Sequence, residues 1–586
     1  MFKLLMLFSE LASVFQEIEE TSSRLKMTDI LAGLFKSASE DEADKISYLL
    51  QGMVAPPFKG IDIGLGEKFV QQAISRAAGY PVTRIEKKYL ETGDLGLVAE
   101  AFVSEKKQAS LSSRDLTVSE VFNSFTKIAR ASGPKSQSVK INRLVDLLNN
   151  SSPLEAKYLV RIPLGRLRLG VGDPTILDAL STAFSGDKSM REVLERAYNL
   201  SSDIGLVART LYGKGVKALE KFKVTPGVPL RPALCERLPT SEEIIEKIGK
   251  CAVEAKYDGV RLQCHITRGG DVFLFSRHQE NMTKMFPDMV KALKKLPVKS
   301  VVLDCEALSY NEATGEYYSF QETVQRKRKH GVKEFAQDLP LRLFAFDIMH
   351  LNGKDVMEKP YVKRRALLEK VVDEHSDRIV LSEKSVVSEP AELQELFEDI
   401  VGRGLEGIIA KDLEAPYTAG ARKFAWVKLK RSYKGELQDS IDAVILGYFK
   451  GKGHRARFGF GTLLAGVYDP KRDEFKTIAK VGTGFTEEQM QKLKEALDRI
   501  SVKKRPARVD SNITPDVWVE PKYVVTLVAD EITRSPVHTC GWTKGKGYAL
   551  RFPRLASWFR DKLPEDSTSV VEVKDMYENQ KRVKEN

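Results

Sequence analysis

Three prolines within seven residues, Pro226-Gly227-Val228-Pro229-Leu230-Arg231-Pro232, divide the chain. Each proline fixes φ and removes a backbone donor, so this segment can neither begin a long helix nor lie inside a sheet. It reads as a stiff strap between two differently patterned regions. Before it, Leu4, Phe8, Leu11, Phe15 and Ile18 fall on one face at the amphipathic period. Gly and Pro punctuate the helical segments that follow, as at Ala55-Pro56-Pro57 and Ser132-Gly133-Pro134. After the strap, short apolar runs alternate with helical stretches such as 288–296 and 391–401, a mixed α and β pattern. Beyond Lys434-Gly435-Glu436 come the β-rich runs Ile441 to Phe449, Leu463 to Val467 and Tyr523 to Leu527, broken by Gly-rich turns. Short strands with frequent turns suggest a small barrel. A chain of 586 residues is too long for one hydrophobic core. The expected division is 1–225, 226–434 and 435–586.

The net charge of +12 permits a polyanionic partner without demanding one. Its distribution says more. Residues 1–100 carry 11 basic and 15 acidic side chains, whereas residues 101–230 carry 20 and 12. The excess lies beside Tyr158-Leu159-Val160-Arg161 and Gly165-Arg166-Leu167-Arg168-Leu169-Gly170, where spaced arginines suit phosphate contact or a solvated helical face. Cys235, Cys251, Cys264, Cys305 and Cys540 are scattered with no C-x-x-C pair, which argues against a zinc module or disulfide framework and fits a reducing cytoplasm. The apolar start Met1-Phe2-Lys3-Leu4-Leu5-Met6-Leu7-Phe8 breaks at Ser9-Glu10, so it reads as a helix rather than a signal peptide. No stretch approaches the ~20 apolar residues of a membrane span. The run Arg326-Lys327-Arg328-Lys329-His330 reads as a solvated charged face rather than an import signal.

Lys256 sits in Glu254-Ala255-Lys256-Tyr257-Asp258-Gly259-Val260-Arg261. A lysine amine attacks phosphorus only when neutral, and an ordinary lysine is neutral in roughly one molecule in a thousand at pH 7. A nucleophilic role requires burial and nearby cations such as Arg261, against the opposing pull of Asp258 and Glu254; Gly259 would let backbone approach a ligand closely. The bland alternative is a surface turn between two strands. Context favours chemistry, because five further strands each deliver charged or aromatic groups, as a pocket built on a sheet requires. Val272 to Phe275 precedes Ser276-Arg277, Val301 to Leu303 precedes Asp304-Cys305-Glu306, and Leu341 to Ala345 precedes Phe346-Asp347. Glu406-Gly407-Ile408-Ile409-Ala410-Lys411 and Trp426-Val427-Lys428-Leu429-Lys430 follow. Lys428 and Lys430 share one strand face, although the pattern around Trp426, Val427 and Leu429 leaves that face ambiguous.

The order and spacing of these segments resemble the motifs of covalent nucleotidyltransferases. Leu550-Arg551-Phe552-Pro553-Arg554 with Asp561-Lys562 is similar to the last motif of ATP-dependent DNA ligases of the archaeal and eukaryotic replicative type. The Tyr158 to Gly170 segment looks like their DNA-binding domain. The resemblance implies an all-α DNA-binding domain, an α+β nucleotidyltransferase (adenylation) domain and a C-terminal β-barrel OB-fold. It implies sealing of nicked double-stranded DNA in replication, repair and recombination, with ATP and Mg2+ or Mn2+ as cofactors. By the same resemblance Lys256 takes up AMP, and Glu254, Arg261, Arg277, Glu306, Phe346, Arg422, Lys428 and Lys430 hold the nucleotide, with Phe346 stacked on adenine. Glu306 and Glu406 are the metal ligands, Arg551, Arg554 and Lys562 close over the triphosphate, and Arg161, Arg166 and Arg168 contact DNA. Leu555 to Arg560 is less basic than the family pattern, which weakens assignments between Arg554 and Lys562. The hinge at Lys434-Gly435 is expected to move.

A monomer in the cytoplasm, associated with the nucleoid, follows from the same reading. Lys106 to Ser112 lies where related archaeal ligases carry a sliding-clamp contact; it lacks the paired aromatics and reads as a plain loop, with a clamp kept as a candidate partner. RNA ligases and capping enzymes share the core motifs but not a helical DNA-binding region of this length. A non-catalytic DNA-binding relative would have lost charged motif residues that are all present here.

Overall fold

The computed structural model describes residues 5–106, 114–238, 240–310, 323, 326, 332, 336, 339–372, 377–403, 405–430, 440–451, 459–560 and 562–585, without the side chains of 422, 557–560 and 579–585. The chain groups into two compact units. One comprises residues 1–236, 257–384 and 411–426; the other comprises 237–256, 385–410 and 427–586.

The first unit opens with a helical series from Phe8–Glu19 to Val216–Leu219. The expected amphipathic face is present: Phe8, Leu11, Phe15 and Ile18 are fully buried. Local sequence explains where helices start. In Pro153–Arg161, Ser152 accepts from the Glu155 amide while Glu155 reaches back, a capping box with proline in the first turn. This helix packs against Leu95–Ser104 so closely that a Cβ at Gly96 would lie 2.7 Å from the Arg161 side chain. The segment that follows is no helix. Gly165, Arg168 and Gly170 take left-handed φ values of 62°, 60° and 66°, and Leu167 and Leu169 are buried as its anchors.

The strap is held by side chains of its own unit. Gln263 donates to the Leu230 carbonyl and accepts from the Leu230 amide, each at 2.9 Å, and the Gly227 amide donates to His265 Nδ1. Burial pushes the His265 imidazole down to about 3, which keeps it neutral and leaves that nitrogen as an acceptor. On the other side, Arg231 donates to the Tyr198 hydroxyl at 2.6 Å and pairs with Asp173 at 3.1 Å, both in the helical region.

Among the described residues the central strands are, in chain order, β1 Leu234–Arg237, β2 Cys251–Lys256, β3 Val260–Ile266, β4 Val272–Ser276, β5 Val301–Ser309, β6 Leu341–Leu351, β7 Lys354–Asp355, β8 Ile379–Leu381, β9 Lys384–Val387, β10 Gly407–Asp412 and β11 Arg422–Lys430. One sheet runs β4-β3-β5-β6-β7 with β8 beside β6; another runs β1-β11-β10-β2-β9. All five motif-bearing runs read from the sequence are strands. Leu262, Cys264, Leu274, Leu303, Cys305, Leu343 and Ala345 form the core of the first sheet with helices Pro287–Leu293 and Tyr361–Val372. Arg326 is not on a solvated face as expected. It is fully buried and donates to Asp288 and the Leu339 carbonyl; Lys327 to His330 lie outside the described residues, as do the Lys434-Gly435 hinge and Lys107 to Ser112 of the clamp-loop segment.

In the second unit, Ile441–Phe449, Thr462–Asp469 and Glu474–Val481 make an antiparallel meander. Val524–Val528 pairs with the first of these strands and with Arg554–Arg560. Helix Glu487–Asp498, capped by Thr486 and Gln489, contributes Met490, Leu493 and Leu497 to a core that includes Ile445, Ala465, Ile478 and Val525.

Candidate active site

In the second unit, Lys256 ends β2, Glu406 precedes β10 and Lys430 ends β11, and these three strands are neighbours in one sheet. The Glu406 amide donates to the Lys256 carbonyl at 3.1 Å. Its carboxylate is bridged by both ammonium groups, Lys256 on one oxygen and Lys430 on the other. Burial would raise this carboxyl, but the charges and hydrogen bonds of the two lysines outweigh it and hold Glu406 below the usual carboxylate range. Gly407 makes the bridge possible. Its φ is 146°, and a Cβ there would lie 2.2 Å from the Leu429 carbonyl, so β10 and β11 approach only around a glycine.

The ambiguity on β11 is resolved. Val427 and Leu429 are fully buried, while Lys428 and Lys430 are half-buried on the other face. Glu254 lies two residues before Lys256 on β2 and is buried. Arg422 begins β11, but its side chain lies outside the described residues.

In the first unit, Arg261 on β3 meets Asp304 on β5 through two hydrogen bonds, of 3.0 and 2.6 Å, and donates to the Ala233 carbonyl. Tyr417 donates to the same Asp304 at 2.7 Å and accepts from the Ala233 amide. Burial would lower the guanidinium, but Asp304 overrides it and holds Arg261 above its ordinary value. Arg261 is thus a compensated cation. Its guanidinium carbon lies 5.5 Å from the centre of the Phe346 ring and 5.8 Å from that of Trp426. Phe346 is half-buried on β6, with Trp426 edge-on at 6.0 Å. The next residue, Asp347, is fixed by fully buried Arg364 at 2.8 and 3.0 Å.

Glu306 is half-buried on β5, and Arg277 is exposed just after β4. Gly259 has a local purpose that differs from the one expected. A Cβ there would lie 2.3 Å from the Ala307 carbonyl, so the close approach is to the neighbouring strand. Asp304 was visible only as a neighbour of Glu306. Lys411 closed a motif without an assigned role, and Tyr417 carried no sequence signal.

In the C-terminal strands, Arg551 pairs with Glu531 at 2.6 Å, Arg554 with Asp530 at 3.2 Å, and Lys562 with Asp442 at 2.7 Å. Asp561 lies outside the described residues. In the helical region, Arg161 departs from its expected role. It is 2 % exposed, with Asp94 at 2.6 Å and Glu19 at 2.9 Å. A guanidinium buried against two carboxylates is committed to the fold, which corrects the expectation that it faces DNA. Arg166 is exposed and pairs with Glu67; Arg168 is half-buried on Asp94.

Three family models match the chain. Residues 7–181 match the family described as DNA ligase N terminus, 232–430 the ATP dependent DNA ligase domain, and 456–562 the ATP dependent DNA ligase C terminal region. The molecule is therefore of the multidomain ligase class, with an N-terminal helical domain, a central adenylation domain and a C-terminal domain of strands. A Dictyoglomus thermophilum protein named "Probable DNA ligase" is 52% identical over 582 residues, covering 99% of each chain. A Thermofilum pendens protein named "DNA ligase 2" is 43% identical, covering 98% of each. The chain belongs to the ATP-dependent DNA ligase family. A solved structure named "Pmar-Lig_PreS3" shares the fold, with a TM-score of 0.57 at 18% identity over 93% of this chain and 98% of that one. No helix among the described residues is long and apolar enough to cross a membrane.

Proposed function

We propose that this chain seals nicks in duplex DNA through an adenylate carried on Lys256. The observation that carries this reading is the Lys256–Glu406–Lys430 bridge. It places an amine at a strand end beside a carboxylate and a second cation, the set that an in-line displacement at phosphorus requires. Glu406 holds the Lys256 ammonium in place. Attack needs that ion pair to open and one ammonium proton to pass to solvent, and a second follows as the N–P bond forms. The nitrogen then bonds to the α-phosphorus of ATP as the bond to pyrophosphate breaks. Lys256 loses its charge on becoming a phosphoramidate, and Lys430 remains to pair with Glu406. In the second step an oxygen of the nick 5′-phosphate attacks the same phosphorus and the P–N bond breaks. In the third, the 3′-hydroxyl attacks the activated phosphate, the strand closes and AMP departs.

Glu254, Arg261, Arg277, Glu306, Arg422 and Lys428 complete the proposed nucleotide site, with Phe346 under adenine. Arg551, Arg554 and Lys562 orient pyrophosphate, which requires their present carboxylate pairs to exchange for phosphate. Arg166 and Arg168 are the proposed DNA contacts of the helical domain. Glu406 fits a Mg2+ or Mn2+ ligand, because its carboxyl stays ionised and such cations take few protein oxygens beside substrate phosphates; Glu306 is the second. Among the described residues no cluster of three or more acidic, histidine or cysteine groups suits a metal. When bound, the cation would neutralise charge on the triphosphate.

The C-terminal strands are read as an OB-fold, the domains as 1–225, 226–434 and 435–586, and the protein as a cytoplasmic monomer in replication, repair and recombination. A nicked duplex incubated with Mg2+ and ATP, GTP, ADP or NAD+ in turn tests the reading. Joining with ATP is expected, and no joining with ATP would overturn it.

A further inference from the structure

Lys411, on β10, is fully buried. Its ammonium lies 4.6 Å from the ring centre of Trp426, 5.0 Å from that of Phe346 and 5.2 Å from that of Tyr361. It also donates to the Phe346 carbonyl at 3.1 Å. A buried charge is costly, and a core position of this shape would accept a methionine at less expense. The charge therefore has something to hold. Among the groups it holds is Phe346, whose carbonyl takes a hydrogen bond from it and whose ring lies near two cations, Lys411 and Arg261. Arg364 fixes the following residue through Asp347. Backbone, ring and neighbour are each anchored, although Phe346 remains only half-buried. A ring fixed this way offers a preset stacking surface, and a preset surface saves the entropy that a mobile one loses on binding.

We propose that Lys411 is a positioning residue for recognition of the nucleotide base, acting through Phe346 on affinity. This rests on the reading of Phe346 as the adenine platform. Lys411 is fully buried with its ammonium among three rings, so on this proposal it shifts KM and leaves the saturated rate.

The test is self-adenylation of the full chain with labelled ATP and GTP. Lys411→Met is expected to raise KM for ATP about tenfold, to raise that for GTP in proportion, and to change the saturated rate less than about threefold. Lys411→Gln keeps a donor for the carbonyl but removes the charge, and is expected to do the same; Lys411→Arg should restore most of the affinity. Phe346→Leu should raise KM similarly, and adding Lys411→Met to it should raise KM little further, because the two act as one unit. An unchanged KM in Lys411→Met or Lys411→Gln, a fall in rate at constant KM, or additive effects in the double variant would overturn the proposal. So would failure of both neutral variants to fold while Lys411→Arg folds, since the charge would then serve the core alone. A wild-type chain that forms no adenylate from ATP refutes the ligase reading instead.

Discussion

Glu406 is the partner that gives Lys256 its setting, and the two are 150 residues apart in sequence. Glu406→Gln keeps the shape and removes the charge, leaving two lysines facing a neutral amide. Adenylate formation should fall by about a hundredfold or more, in line with the loss of one preorganised electrostatic group, as read by single-turnover labelling. The Glu406 carboxyl lies below its ordinary value of 4.5, so it is ionised throughout the neutral range. A loss of less than about tenfold in Glu406→Gln would contradict this role. At this scale the sequence was informative about residue types that do chemistry and uninformative about who meets whom. The octet drew attention to Lys256, whereas Glu406 and Lys430 were assigned only through the family resemblance, because alternation along a strand does not say which strands become neighbours. Tyr417 takes its role from the Asp304 carboxylate and the Ala233 amide, and Lys411 from the Phe346 carbonyl and ring, all far along the chain.

The helix Pro153–Arg161 shows how an element can mislead. Spaced arginines are equally compatible with phosphate contact and with buried ion pairs. The deciding carboxylates, Glu19 and Asp94, lie 142 and 67 residues before Arg161. Arg161→Ala should destabilise the helical region by about 3 kcal/mol, near the low end for a broken buried pair because Arg168 still faces Asp94. Arg166→Ala, which breaks only an exposed pair, should cost under about 1 kcal/mol; urea unfolding compares them. DNA binding should rank them in reverse, with Arg166→Ala and Arg168→Ala each lowering the slope of log affinity against log salt by about 1.

The same cluster carries an acid sensitivity. Burial would raise Glu19, but hydrogen bonds and charge from Arg161 and Lys157 pull its carboxyl down to about 2. A depressed carboxyl stabilises the fold fully above its unfolded value near 4.5 and loses that contribution as pH falls towards about 2. The melting-temperature difference between wild type and Glu19→Gln should therefore be constant above about pH 5 and shrink steadily as pH falls from about 5 towards 2. A difference that did not shrink across that range would place the stabilisation elsewhere. Other elements were easier to read. Helix Phe8–Glu19 and the motif strands matched their periodic patterns because one buried face determines each.

Across the molecule, the strap was legible from its prolines alone, since proline's constraint is local. Its anchors were not, because Gln263, His265 and Tyr198 have no distinctive pattern. The C-terminal cations Arg551, Arg554 and Lys562 stand in pairs with Glu531, Asp530 and Asp442, so their proposed use on the triphosphate requires exchange of partners. Lys562→Ala and Arg551→Ala should slow self-adenylation by about tenfold or more, yet leave closure of a nick supplied with a pre-adenylated 5′-phosphate within about threefold. Equal loss in both assays would contradict a role confined to the first step. The central claim is that the chain carries adenylate on one amine. It is tested by incubating the protein with ATP labelled at the α-phosphate and a divalent cation, denaturing it and mapping the label. The account predicts one labelled peptide, modified at Lys256, that transfers its label to nicked DNA and disappears in Lys256→Ala. Label that persists in Lys256→Ala, or that maps to another residue, would contradict it.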